Sequence, residues 1–99
     1  MSKPLTWDER KRQLNVAKHG LDFTRAIEVL DSPDRWDLVV VRHGEQRTLS
    51  LAYVWGMLMV LTLVHTEREG TVRVISLRRS SREEREAYFV WIKDQNHEP

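Results

Sequence analysis

A chain of 99 residues is near the usual size of one domain, which argues against two separate cores. It contains no cysteine, so disulfides, thiolate nucleophiles and cysteine-bound zinc are excluded together, in keeping with a reducing, cytoplasmic setting. Charged residues make up 31% of the chain but nearly cancel, at +1, so net charge alone does not advertise a polyanionic partner. The histidines, His19, His43, His65 and His97, form no pair at helical metal-ligand spacing and have no acidic cluster beside them, so no metal and no cofactor are expected. The longest apolar run, Met57 to Val64, is far short of the ~20 residues that cross a bilayer, and the opening residues carry no hydrophobic signal core.

Thr6-Trp7-Asp8-Glu9 reads as a capping box with Thr6 as the cap, and Gly20 supplies a stop, predicting a first helix over 7–19. Trp7, Lys11, Leu14 and Lys18 recur on one face of it, the stripe expected to pack. Phe23, Ala26, Ile27 and Leu30 have helical spacing and predict a short second helix, ended by Asp31-Ser32-Pro33-Asp34. From Trp36 the texture becomes β-branched, with turn signals at His43-Gly44, Trp55-Gly56 and Glu69-Gly70. Strands are expected at 36–42, 46–54, 57–66 and 71–78, joined as an antiparallel meander by short connections. The third of these is apolar on both faces, as for a central strand covered by helices or by a partner. Ser80-Ser81-Arg82-Glu83-Glu84 offers two overlapping capping boxes, and Tyr88, Trp91 and Ile92 continue a third helix to about Lys93, with fraying expected from Gln95 to Pro99. The expected architecture is α+β: two N-terminal helices, a four-stranded antiparallel meander and a C-terminal helix, in one domain over 1–99 with an ordered core at about 6–93.

Charge is distributed unevenly. Thr71 to Arg82 holds Arg73, Arg78, Arg79 and Arg82 and no acid, so the end of the fourth strand and the start of the third helix form a basic edge. Arginine presents a planar, permanently charged fork suited to phosphate oxygens, and a helix N-terminus adds free amides for an anion. Simple alternation places Arg73 and Arg79 on one face and Arg78 on the other. The alternative is that these arginines are solvated and paired with Glu67, Glu83 and Glu84. His65, at the end of the apolar strand, is of the type that moves a proton near neutral pH, and Arg68 follows in the next turn. Lys18-His19-Gly20 forms a second cationic cluster, although charge at a helix C-terminus also has a plain stabilising role. Tyr88 has core spacing, with a hydroxyl within potential reach of the arginine edge. Metal-free RNA cleavage needs a base for the 2′-hydroxyl, cations for the phosphorane charge and a proton for the leaving 5′-oxygen, and these residues offer candidates for each.

The residues also carry a family resemblance. Trp7-Asp8-Glu9-x-Lys11, Asn15-x-x-Lys18-His19-Gly20-x-x-Phe23-x-x-Ala26, Asp31-x-Pro33, Gly44-Glu45-x-Arg47, Thr66-x-Arg68 and Arg73-Val74-Ile75-Ser76-Leu77-Arg78-Arg79-Ser80-Ser81-x-x-Glu84-x-x-x-Tyr88 together resemble the BrnT toxins over about residues 7–88. The resemblance implies a RelE-like ribonuclease toxin of a bacterial type II toxin–antitoxin pair that cleaves RNA without metal and inhibits translation. It also implies a hetero-oligomer in which a ribbon-helix-helix antitoxin wraps and blocks the toxin, so that operator DNA is reached only through the antitoxin. Lys18, His19, Arg68, Arg73, Arg78, Arg79, Glu84 and Tyr88 match motif positions. Arg68, Arg73 and Arg78, with His65, Lys18 and His19, are then the catalytic candidates, and Arg79, Glu84 and Tyr88 the substrate-binding ones; the general base stays open among them. Leu77 departs from the family pattern, which usually has alanine there. The antitoxin is expected on the apolar sheet face and basic edge together. The competing readings are a non-enzymatic interaction module that binds an antitoxin and tunes operon repression, and a DNA-binding repressor, the latter opposed by the absence of a helix with a basic recognition face.

Overall fold

The computed structural model describes residues 3–95; Gln95, expected to fray, is the last residue of the C-terminal helix, and the rest of that expectation, 96–99, with the position of His97, lies outside the described residues. In chain order the elements are β1 (Leu5–Thr6), α1 (Glu9–His19), a 3₁₀ turn (Phe23–Arg25), α2 (Ala26–Leu30), β2 (Trp36–Arg42), β3 (Glu45–Val54), β4 (Met59–Arg68), β5 (Thr71–Arg79) and α3 (Arg82–Gln95). The fold is α+β, with three α-helices and a five-stranded mixed sheet ordered β1-β5-β4-β3-β2. The antiparallel β2-β3-β4-β5 meander matches expectation, but β1 adds a fifth strand, parallel to β5, through Leu5↔Val72 and Thr6↔Arg73. A strand of two residues after Pro4 has no room to display alternation, and it exists because Val72 donates its N–H to the Pro4 carbonyl at 2.9 Å.

Committing Thr6 to β1 moves the start of α1. Asp8, not Thr6, is the cap: its backbone is extended and its carboxylate accepts from Lys11 N at 3.2 Å. Glu9 does not reach back, but holds Arg12 in an ion pair. At the other end Gly20 takes the left-handed conformation, φ 70°, and donates to the Val16 carbonyl at 2.8 Å. The stripe expected to pack does so only at Trp7, which meets Phe23 edge-on; Leu14 is 61% exposed, and the buried residue of α1 is Asn15. The second helical segment splits into a 3₁₀ turn capped by Asp22 and the short α2. Both turns of the outer hairpins have positive φ at two successive residues, His43-Gly44 and Glu69-Gly70, the geometry that matches strand twist in two-residue connections. The middle turn consumes Met57 and Leu58, whose N–H groups both donate to Val54 O, so β4 starts two residues later than expected.

β4 is buried on both faces, as its sequence required. Leu61 and Leu63 join Phe23, Ala26, Val29, Ala52, Val54, Val74 and Leu77 in a core beneath the N-terminal helical segments. On the opposite face Val60 and Leu51 meet Tyr88 of α3, while Trp91 stacks on Trp36 with ring centroids 5.7 Å apart. The apolar residues on both faces of β4 are therefore covered by helices of the same chain, one of the two kinds of cover its sequence allowed. Among the described residues no helix is long and apolar enough to cross a membrane.

Candidate functional site

The arginine arrangement depends on one irregularity in β5. Val64 pairs with Ser76 and the adjacent His65 pairs with Val74, leaving Ile75 as an unpaired extra residue in a β-bulge. The bulge resets the pleat, so Val72, Val74 and Leu77 all face the N-terminal core although simple alternation would separate Leu77 from the valines. By the same reset Arg73, opposite Thr66, and Arg78, opposite Thr62, share the α3 face, and Arg79, opposite Leu61, turns to the other face. This reverses the pairing expected from alternation. Arg68, two residues along β4 from Thr66, lies on the α3 face too, as do Arg42 and Arg47 across β2 and β3.

Where α3 does not reach, this face forms a groove of about 300 Å³ lined by Val40, Arg42, Arg47, Leu49, Val64, Ile75, Ser76 and Arg78. Arg42, Arg68 and Arg73 pair with no carboxylate among the described residues, whereas Arg47 is held by Glu45 at 3.0 Å. Arg78 makes a two-point ion pair with Glu84, Nη1 to Oε1 at 2.7 Å and Nη2 to Oε2 at 2.9 Å. Glu84 is also the capping-box acid of α3: it accepts from Ser81 N at 2.8 Å, and its own N–H donates to Ser81 Oγ. The amides of Ser81 and Glu84 are thus engaged within the capping box, and the Glu84 carboxylate brings negative charge to the helix terminus that the sequence reading offered as an anion cradle. The Arg78 hydrogen bonds hold the Glu84 carboxyl down to about 2, and Glu84 in turn raises the Arg78 pKa.

The C-terminal end of α1 meets this groove at the edge of β5. Beyond the short β1 the outer edge of β5 at Leu77 has no neighbouring strand, and the Asn15 side chain takes its place: its Nδ2 donates to Leu77 O at 2.7 Å and its Oδ1 accepts from Leu77 N at 3.2 Å. Nδ2 also donates to Leu21 O, 2.9 Å away, so one buried amide ties helix, loop and strand. One turn on, Lys18 and His19, with Lys11, line a second groove whose far wall is Ile75 and Ser76. The two grooves share those residues, so cations from α1 and from β2, β3 and β5 flank one seam. His19 has its pKa lowered by burial and then by the charges of Lys18 and Arg78, which favours the neutral imidazole.

The remaining candidates lie elsewhere. His65 is buried on the opposite face, where Nε2 is 2.8 Å from Ser50 Oγ and Ser50 donates to Asp37 at 2.6 Å. Because the Ser50 proton goes to the carboxylate, Nε2–H is the donor to Ser50, and His65 Nδ1 is left buried without a partner among the described residues. Burial lowers the His65 pKa. Tyr88 is wholly buried, its hydroxyl donating to Asp34 O and accepting from Tyr53 N, so it bolts α3 to the sheet and does not reach the arginines. Arg79 lines a different groove, with Lys18, His19 and Met59. Asn15 and Arg47 stand in the family motif without an assigned role, and Arg42 was not singled out. The two-residue turn at His43-Gly44 contained the register that sets Val40 opposite Arg47 and Arg42 opposite Glu45. The apolar phase break Val72, Val74, Leu77 was the visible sign of the bulge.

No curated protein sequence matches the chain. The family model described as the ribonuclease toxin BrnT of type II toxin–antitoxin systems matches residues 7–84, a span that includes α1, every strand of the meander and the Arg78–Glu84 pair. A type II toxin is paired with an antitoxin, and the chain belongs to the BrnT family of ribonuclease toxins.

Proposed function

We propose that this protein is a metal-independent endoribonuclease whose substrate phosphate sits at the Ile75–Ser76 seam, between the end of α1 and the arginine face. The observation that carries this reading is the convergence there of Lys18 and His19 from one side and Arg78 from the other. Neutral His19 takes the proton of a 2′-hydroxyl, the 2′-oxygen attacks phosphorus, and the P–O5′ bond breaks with protonation of the 5′-oxygen by Lys18. Arg78 and Arg73 stabilise the charge that builds on the phosphorane oxygens, and Arg42, Arg47 and Arg68 bind flanking phosphates. The products are a 2′,3′-cyclic phosphate and a 5′-hydroxyl. A divalent cation would need free carboxylates, but Glu45 and Glu84, the acids of this face near the groove, are tied to Arg47 and Arg78.

In the cell this activity inhibits translation and is neutralised in the cytoplasm by a ribbon-helix-helix antitoxin, with residues 1–99 acting as one domain of the hetero-oligomer. Mapping the ends left on a defined RNA, with and without chelator, tests the reaction. Cyclic phosphate ends formed equally in both conditions are expected, and cleavage lost on chelation would contradict it. A second reading, a toxin that binds but does not turn over, is favoured by the engagement of both Arg78 terminal nitrogens by Glu84. RNA that is bound but left intact by wild type and by Glu84→Gln would select it.

A further inference from the structure

At the end of the sheet, next to the β3–β4 turn, lies a groove of about 390 Å³ that the nuclease reading does not use. Its apolar lining comes from Tyr53, Leu58 and Met59 on one side and Phe89 of α3 on the other, and Arg79 and Arg85 stand beside it. Leu58 is 73% exposed and holds a left-handed backbone, φ 55°, that a leucine adopts at a steric cost. The turn therefore presents an apolar side chain outward. Trp55, 78% exposed, packs edge-on against Tyr53 with centroids 4.8 Å apart and extends the apolar surface. No acid lines this groove, and Arg79 pairs with no carboxylate among the described residues.

We infer that this groove is the docking site of the antitoxin, taking an acidic segment that carries an apolar anchor residue. An apolar pocket with convergent arginines and no acid is complementary to that chemistry, the anchor desolvating Leu58 and Phe89 while carboxylates pair with the guanidinium groups. Position explains inhibition. Arg79 and Met59 line both this groove and the one that holds Lys18 and His19, so a segment anchored at Phe89 and continuing past Arg79 covers the end of α1. The inference rests on the family's pairing with an antitoxin, and only its account of inhibition rests on the proposed catalytic seam.

The test is calorimetric titration of the antitoxin encoded with this toxin into wild type, Leu58→Ser/Phe89→Ser and Arg85→Glu, each first shown to be folded by circular dichroism. At least tenfold weaker binding is expected for the first variant, and a comparable loss for the second, with a shallower salt dependence. RNA binding should be unchanged in both, because neither variant touches the seam. Unaltered antitoxin affinity in the two folded variants would overturn the inference, and so would a loss of RNA binding in place of antitoxin binding. A change in the mass of the toxin alone in sedimentation would assign the groove to a second copy and overturn it as well. Affinity is read without cleavage, so a toxin that proves inactive leaves the test intact.

Discussion

The two faces of the sheet show how one small fold divides its work. The face under the N-terminal helical segments is closed and apolar, with Phe23, Ala26, Val29, Leu61 and Leu63 inaccessible to solvent. The other is closed only where Tyr88, Trp91 and Trp36 pack, and the part left open carries arginines. β4 contributes apolar side chains to both, and β5 changes phase at Ile75 so that its own arginines fall on both sides of the boundary. In the proposed mechanism stability and chemistry fall on different surfaces of the same strands. A residue in the closed face should change stability without any direct effect on RNA, and one in the open face should do the reverse.

The largest expected departure is at Phe23, fully buried against Trp7 in the closed face. Phe23→Ala should cost about 3–5 kcal/mol in denaturant unfolding, a large share of the stability of a small domain. On the open face Arg78→Ala should lower the cleavage rate about 10²-fold or more, the usual loss for one preorganised charge donor. Its stability change should be smaller than that at Phe23, because the loss is limited to a partly buried ion pair whose carboxylate keeps Ser81 N and Thr62 as hydrogen-bond donors. Asn15 joins the two regions: Asn15→Leu leaves the Leu77 and Leu21 backbone groups unpaired and should cost about 2–3 kcal/mol. In that variant cleavage should fall as well, since the strut positions Lys18 and His19; unchanged activity would separate α1 from the site.

The pH dependence sharpens the contrast further. His65 is kept neutral by burial in the fold, with its pKa below the ordinary value near 6.5, so below that pH the unfolded chain binds the extra proton and stability falls as pH falls. His19 contributes in the same direction. His65→Gln should flatten the slope of unfolding free energy between pH 6.5 and 5 relative to wild type, while leaving the pH profile of cleavage in place. The smallest effect belongs to the rim. Arg42→Ala/Arg47→Ala should shift stability by no more than about 0.5 kcal/mol, yet reduce the salt dependence of RNA binding by a slope of about 1.4, two single-strand phosphate contacts.

Much of this division was legible in the sequence. Two-sided apolar character marked β4 as central, the glycine turns set the meander, and the second of the two capping boxes, Ser81 to Glu84, is the one that starts α3. Where the reading departed from the structure, local pattern yielded to long-range pairing. Thr6 has the pattern of a helix cap, but β5, distant in sequence, claims it for β1, and Leu14 lies on a helical stripe of which Trp7 packs while Leu14 itself stays exposed. The site was half visible. Arginine and Lys-His types marked the proposed site, but their relative faces depended on one bulge, and period-2 alternation carried across Ile75 gives the wrong partner to Arg73. Asn15 was invisible as a functional support because its role is to replace a strand, and helical periodicity carries no signal for that.

The most direct test of the central claim is cleavage of a defined RNA by the purified toxin compared with two double variants, Arg73→Ala/Arg78→Ala on the open face and Arg10→Ala/Arg82→Ala at exposed positions outside the grooves. The pairs remove equal charge, so net electrostatic attraction is matched. Cleavage lost by at least about 10³-fold in the first pair and retained within a few-fold in the second is the predicted result, as expected when two transition-state contacts are removed. Equal loss in both pairs, or full activity in the first, would contradict the assignment of the site to this face.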